Sequence, residues 1–137
     1  MDAVSEIELR RVGWSPELEH VLSMVDLQSP HTTLQFYRDA IGSQNLIAIG
    51  VHARGELIGA AVIDFDDGDV GSECVIVLGG GKLAGVDLTA TILPAMEGIA
   101  KGGGASSIRF VTHRRGLVSK ALSMGYQASQ VILRKDL

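Results

Sequence analysis

The residues best suited to binding chemistry form a glycine-rich segment that precedes a helix. Gly79, Gly80 and Gly81 are followed by Lys82-Leu83-Ala84-Gly85-Val86-Asp87. Successive backbone N–H groups at a helix N-terminus bind phosphate groups, glycine lets the backbone approach closely, and a lysine adds a cation. Asp87 leaves two interpretations open, because it could cap the helix or belong to a functional loop that tolerates a carboxylate. The same pattern also serves ordinary turns.

Three further groups could take part in chemistry. His113 follows an apolar strand and could accept a proton or contact a substrate, or it could lie at the surface as a capping residue. Cys74 has no activating partner visible in the sequence and is typical of a small core residue. Arg114 and Arg115 could bind an acidic group or remain solvated. The four histidines and single cysteine show no metal-ligand spacing, so we predict no metal site.

The elements that position these groups follow from hydrophobic periodicity and from turn residues. The sequence predicts strands at 6–13, 45–52, 57–65, 70–78, 107–112 and 127–134. It predicts helices that begin after the Ser15-Pro16 start signal, near Pro30, at about Leu88 and at Arg115. The order β-α-α-β-β-β-α-β-α-β indicates an α/β (α+β) fold with a mixed central sheet of about six strands. We expect one domain over residues 1–137.

Composition limits the classes of partner. The 137 residues carry a net charge of −4, the longest basic run is His113-Arg114-Arg115, and aromatic residues make up 4% of the chain. These features argue against nucleic acid as the main partner. No apolar run approaches the roughly 20 residues that span a bilayer, and no signal peptide is visible. With a single cysteine, we expect a cytoplasmic protein without membrane contact.

The segment from 45 to 137 resembles the GNAT superfamily of acetyl-CoA-dependent N-acyltransferases. The element order is that of the family, and Leu117-Val118-Ser119-Lys120-Ala121-Leu122-Ser123-Met124-Gly125-Tyr126 is similar to its helix that ends in a glycine and an aromatic residue. The resemblance implies a single GNAT-like domain, similar to the reduced form of small phage-encoded or bacterial members.

The resemblance also implies a cofactor and site residues. Acetyl-CoA would bind along the end of the fourth strand and the following loop, at Leu78, Gly80, Gly81, Lys82, Leu83, Ala84, Gly85 and Val86. Glu73 on the fourth strand would act as a base, with Asp64 and Asp66 as rivals, and His113 is the second candidate. Ala121 stands where many members have a tyrosine as general acid.

Three functions remain open at this point. The first is an acyl-CoA-dependent N-acyltransferase acting on a small amine, a protein amine or a modified nucleobase. The second is a catalytically inactive GNAT-fold protein with a binding or structural role, in a phage for example. The third is a self-associating module in which strands complete a sheet between two copies, as in a homodimer.

Overall fold

Four helices and five strands are present in the computed structural model, which describes residues 6–25, 31–81 and 87–137. The strands are β1 (Ile7–Val12), β2 (Ile47–Ala53), β3 (Glu56–Asp67), β4 (Ser72–Gly81) and β5 (Ser107–Phe110). The helices are α1 (Pro16–Ser23), α2 (Leu34–Gly42), α3 (Leu88–Gly102) and α4 (Arg115–Ser123). None of these helices has the length and apolar character needed to cross a membrane.

The strands form one mixed sheet in the order β1-β2-β3-β4-β5. Neighbouring strands from β1 to β4 are antiparallel, whereas β5 is parallel to β4. The parallel pair follows from the chain, since α3 connects β4 to β5 and a helical crossover returns the chain in the same direction. The predicted mixed α/β fold is therefore confirmed, with five strands instead of about six.

Local sequence signals fix several of these elements. Ser15 caps α1, because its Oγ accepts a hydrogen bond from Leu18 N at 3.0 Å and Pro16 occupies the first turn. Arg54 and Gly55 connect β2 and β3 with positive φ angles of 53° and 80°. Positive φ at both central residues is the geometry that a two-residue hairpin turn prefers. The predicted first helix and hairpin are both present.

Two apolar layers cover the two faces of the sheet. One layer joins α1 and α2 to the sheet through residues such as Leu22, Val62 and Leu78. The other joins α3 to the sheet through Cys74, Met96 and other residues. Burial of these side chains removes apolar surface from water and stabilises both layers.

A bulge in β4 allows this strand to contribute side chains to both apolar layers. The pairing with β3 runs from Leu78–Val62 directly to Ile76–Ile63, so Val77 is an extra residue on β4. Residues four apart in a regular strand point to the same face. Cys74 and Leu78 nevertheless belong to opposite layers, because the extra residue reverses the alternation.

Close backbone contact at the end of β4 explains its glycines. A Cβ atom on Gly59 would lie 2.7 Å from Gly80 O and 2.9 Å from Gly81 Cα. A Cβ atom on Gly80 would lie 2.8 Å from the Val25 side chain. The prediction that Gly79–Gly81 lie outside the fourth strand is therefore wrong. These residues belong to β4, and glycine permits the close approach of β3 and of Val25, which follows α1.

Two other predicted boundaries differ from the structure. The second helix begins at Leu34, because Thr33 caps it by accepting a hydrogen bond from Phe36 N at 3.4 Å; the predicted start at Pro30 lies outside the described residues. The predicted strand from Gln127 to Arg134 is wrong, since that segment has no strand pairing and every residue in it is exposed. An apolar pattern gives a segment the capacity to form a strand, but pairing requires a neighbouring edge.

Candidate functional site

The candidate site begins where β4 and β5 separate. Their parallel pairing covers four residue pairs and ends at Ile76–Phe110, whereas β4 continues as a strand to Gly81. Residues 77–81 therefore have no partner strand on the β5 side within the described chain. Backbone N–H and C=O groups along a free strand edge can pair with another extended chain.

A cavity of about 1150 Å³ lies at this separation. Val75 to Val77 of β4 and Phe110 to His113 at the end of β5 line one part of it. Residues of α2, of α4 and of the chain after α4 line the rest, among them Tyr37, Val118 and Gln127. The volume slightly exceeds the usual range for small-molecule and cofactor sites, so the cavity is large enough for an extended ligand.

Glu73 lies at the closed end of the paired strands. Its Oε2 accepts a hydrogen bond from Ser107 Oγ at 2.8 Å, and its Oε1 accepts one from Arg109 Nη1 at 2.8 Å. Arg109 Nη2 also lies 3.7 Å from Asp66 Oδ2. Glu73 precedes the end of pairing at Ile76 by three residues, or about 10 Å along the strand. Its carboxylate therefore belongs to a polar network set back from the separation.

His113 lies beyond the end of the β4–β5 pairing, on the open side of the separation. It follows the last residue of β5 by three positions, is exposed, and lines the same cavity as Glu73. Both predicted catalytic residues thus border one cavity, Glu73 alongside the paired strands and His113 beyond the end of the pairing. Asp64, the other rival to Glu73, uses its Oδ1 to accept a hydrogen bond from Phe65 N at 2.9 Å.

Asp87 is the N-cap of α3. Its Oδ1 accepts a hydrogen bond from Ala90 N at 3.3 Å, and its Oδ2 pairs with Lys120 Nζ of α4 at 2.8 Å. The hydrogen bond from Lys120, followed by the one from Ala90, lowers the pKa of the Asp87 carboxyl. Of the two interpretations of Asp87, the capping role is confirmed. A negative charge consequently stands at the end of α3 that would receive an anionic ligand.

The predicted cofactor residues divide into three groups. Leu78 is buried with 2% exposure in the layer beneath α1 and α2, so its side chain serves the core. Gly80 and Gly81 are exposed at the end of β4, beside the separation. Lys82, Leu83, Ala84, Gly85 and Val86 lie outside the described residues.

The sequence did not predict a half-buried contact between α3 and Tyr126, which follows α4. Tyr126 donates a hydrogen bond to Glu97 Oε2 at 3.0 Å, and its ring packs edge-on against Phe110 with centroids 5.6 Å apart. Burial, followed by the hydrogen bond to Glu97, raises the pKa of the Tyr126 phenol. One signal was available, since Glu97 is the single acidic residue within α3.

Cys74 and Ala121 occupy core positions. The Cys74 side chain has 0% exposure and packs with Met96 in the layer beneath α3. Burial raises the pKa of the Cys74 thiol, so the nucleophilic thiolate is disfavoured. The interpretation of Cys74 as a small core residue is confirmed. Ala121 is buried with 5% exposure and lines the cavity.

Solved structures with similar folds include a transcriptional regulator from Bacillus halodurans, with a TM-score of 0.73, 15% sequence identity, and coverage of 96% of this chain and 99% of that chain. A ribosomal-protein-alanine N-acetyltransferase from Brucella melitensis gives a TM-score of 0.70 at 13% sequence identity, with coverage of 95% of this chain and 99% of that chain. An aminoglycoside N-acetyltransferase in complex with CoA gives a TM-score of 0.67 at 11% sequence identity, with coverage of 95% of this chain and 94% of that chain. No protein-family model matches the sequence, and no curated protein matches it. At these identities the similarity is one of fold.

Proposed function

Because the chain has the fold of the GNAT acetyltransferases, we propose that it binds an acyl-CoA between β4 and β5 and transfers the acyl group to an amine. The observation that carries this proposal is the free edge of β4 from residue 77 to 81, beside a cavity of about 1150 Å³. In the simplest case the donor is acetyl-CoA, and the acceptor is an amine of a small molecule or of a protein.

The residues present fit such a donor along most of its length. The free edge of β4 supplies alternating N–H and C=O groups, which can pair with the amides of an extended arm. The N-terminus of α3 and the Lys120 ammonium group favour negative charge, whereas the Asp87 carboxylate opposes it. Gly80 and Gly81, together with the residues from Lys82 to Val86 that the sequence pattern selects, would hold the diphosphate. When bound, the donor supplies an activated thioester carbonyl.

The reaction requires that the acceptor ammonium group lose a proton before its nitrogen attacks a carbonyl. We assign His113 as the proton acceptor, because it borders the cavity on the open side of the strand separation. Glu73 is held by Ser107 and Arg109. We assign it the role of a positioning residue that fixes the Arg109 guanidinium at the cavity wall.

The alternative is a GNAT-fold protein that binds a partner without catalysis. Two observations favour it. Asp87 already accepts a hydrogen bond from Ala90 N and brings negative charge to the α3 N-terminus. Ala121 also lacks the hydroxyl that a general acid would need.

Binding of acetyl-CoA and of free CoA, measured by calorimetry and by thermal melting, tests the proposal. A ligand at 100 times its Kd stabilises the native state by about 2.7 kcal/mol, which gives a clear shift in Tm. No binding of either ligand would favour the alternative. If acetyl-CoA binds, Gly85→Glu should abolish binding, because a carboxylate in the loop repels the diphosphate.

Asp87→Asn sharpens the test. Asparagine caps a helix about as well as aspartate, so this variant removes one charge and keeps the cap. We expect affinity for CoA to rise about fivefold, the factor for removing a unit charge near an anion in water. Asp69→Asn is the matched control, since Asp69 lies beyond the opposite end of β4. An unchanged affinity in Asp87→Asn would locate the diphosphate elsewhere.

Catalysis is tested by release of free CoA thiol in the presence of polyamines, aminoglycosides and peptides. His113→Gln should lower kcat by about 100-fold or more, as expected for loss of a general base. His20→Gln on the exposed side of α1 is the control and should retain activity. Equal activity in both variants would remove His113 from the proposed mechanism.

A further inference from the structure

A second cavity, the β1–α2 pocket, lies where the chain leaves β1. It is lined by residues at the end of β1, at the end of α2 and at the start of β2, among them Arg11, Trp14, Ile41, Gln44 and Leu46. Its volume is about 390 Å³, within the range of small-molecule sites. None of its described lining residues also lines the cavity at the strand separation, and β3 lies between the two in the sheet. The two cavities are therefore distinct.

Buried apolar side chains line part of the β1–α2 pocket. Ile41 and Leu46 are buried, and Val12 packs against the same layer beneath α1 and α2. Trp14 is half-buried, since its side chain packs against this layer and also lines the pocket. Aromatic rings pack favourably against an indole, edge-on or offset. These residues therefore suit a ligand with an apolar, aromatic part.

The polar side chains of the pocket can all donate hydrogen bonds. Arg11 is the one charged residue among the described residues that line it. Arg11 is exposed and forms no ion pair with a described residue. The Trp14 indole N–H and the Gln44 side-chain amide are further donors. Because a guanidinium group binds a carboxylate with two parallel hydrogen bonds, this set of donors favours a carboxylate.

The end of α2 does not cancel this preference. Free carbonyl groups at a helix C-terminus oppose a negative charge. Here the carbonyl oxygens of Asp39, Ala40 and Ile41 already accept hydrogen bonds from backbone N–H groups of residues 43 to 46. These carbonyl groups are thus engaged in the turn that follows the helix, and their repulsion of an anion is reduced.

Gln44 occupies a position that usually holds glycine. It follows the α2 C-cap and has a φ of 65°. Asn45 N donates a hydrogen bond to Ala40 O at 2.9 Å, as in helix ends that close with a left-handed residue. That conformation is unfavourable for a residue with a Cβ atom. Glutamine therefore brings a side-chain amide to the pocket at some loss of stability.

We propose that the β1–α2 pocket binds a small aromatic carboxylate, with the ring against Trp14 and the carboxylate on Arg11 and Gln44. The volume corresponds to about 13 water molecules at roughly 30 Å³ each, which is enough for one or two rings. This site is separate from the proposed acyl-CoA site, and its ligand takes no part in acyl transfer.

Fluorescence of Trp14, the one tryptophan in the chain, measures binding to this pocket. We expect phenylacetate to change the emission saturably, with a Kd of about 1 mM. Phenylacetamide, which lacks the charge, should bind about tenfold more weakly, and phenethylamine should not bind. Equal affinity for the acid and the amide, or tighter binding of the amine, would overturn the carboxylate assignment. The absence of saturable binding would overturn the site.

Competition with CoA locates the probe. We expect saturating CoA to leave phenylacetate binding unchanged, because the two cavities share no described lining residue. Displacement of phenylacetate by CoA would place the carboxylate in the acyl-CoA site and overturn the proposal. A chain that binds phenylacetate but not CoA would overturn the acyltransferase proposal and support this one.

Arg11→Gln and Arg10→Gln form a matched pair. Both arginines are exposed on β1 and both variants remove one positive charge, but Arg10 does not line the pocket. Arg11→Gln should weaken phenylacetate binding about tenfold and leave phenylacetamide binding unchanged, because only the acid uses the guanidinium charge. Arg10→Gln should change the affinity for phenylacetate less than about twofold, since solvent and salt screen a charge outside the site. Equal losses in both variants would overturn the assignment of Arg11.

Gln44→Gly separates binding from stability. Glycine adopts a positive φ without strain, so Tm should not fall. The affinity for phenylacetate should nevertheless fall about threefold, because one hydrogen bond to the carboxylate is lost. An affinity equal to that of the wild type would contradict the proposed contact with Gln44.

Discussion

Replacing Gly59 by alanine forces a methyl group against the backbone of β4. The added Cβ would lie 2.7 Å from Gly80 O, whereas ordinary contacts begin at 3.4 Å, so the two strands must separate by about 0.7 Å. Such overpacking costs about 1–3 kcal/mol. Alanine offsets part of this cost, about 0.4–1 kcal/mol, by restricting the unfolded chain. We expect a net loss of about 1–2 kcal/mol in the free energy of unfolding.

Urea denaturation measures this loss. Trp14, the one tryptophan in the chain, packs against the layer beneath α1 and α2, so its fluorescence reports unfolding. For a chain of this length the expected loss lowers Tm by about 3–7 °C. The slope of the free energy against urea should not change, because the same surface is exposed on unfolding.

Gly98→Ala supplies the control for Gly59→Ala. Gly98 lies within α3, and a Cβ atom there meets no other atom within 4 Å. Alanine in a helix is favoured over glycine by about 0.5–1 kcal/mol, so this variant should be more stable than the wild type. If Gly59→Ala also matched or exceeded the wild type in stability, the close approach of β3 and β4 would not be a constraint on this fold.

Two further predictions concern buried ionisable groups. Burial raises the pKa of Tyr37, and burial with the Glu97 hydrogen bond raises that of Tyr126. Phenolate absorbance of the native protein should therefore appear only above pH 10, the ordinary pKa of about 10 for tyrosine. The stabilisation from these two groups is fully present below pH 10, and the free energy of unfolding should fall as the pH rises further. Phenolate absorbance that appears in the native protein at pH 10 would contradict this. The Cys74 thiol should not react with a disulfide reagent in the native state and should react fully in urea, whereas rapid native labelling would show that the core opens.

Signals from residues close together in the sequence were sufficient to predict much of the fold. The Ser15-Pro16 start of α1 and the Arg54-Gly55 turn act through neighbouring residues, so the sequence predicts them directly. The crossover from β4 through α3 to β5 follows from the order of elements. The parallel pair, and with it the site of strand separation, was predictable for that reason.

Contacts between distant residues were not predictable in the same way. Glycines near the end of β4 resemble a loop in sequence, yet Gly81 is in the strand because the Gly59 backbone approaches it. The contact between Tyr126 and Glu97 joins residues 29 positions apart. The segment from Gln127 to Arg134 has a strand-like composition. A strand also requires pairing with residues that are distant in the sequence, and local composition does not predict that pairing.

The extra residue in β4 has a consequence for relatives of this chain. Val77 reverses which face each later side chain of the strand occupies, so that Leu78 lies beneath α1 and α2. Deleting one residue there would turn the Leu78 side chain toward α3 and move every following side chain of the strand to the opposite face of the sheet. Homologous chains should therefore keep the length of this strand even where they exchange its amino acids, and an insertion or deletion at that point would mark a different arrangement of the cavity.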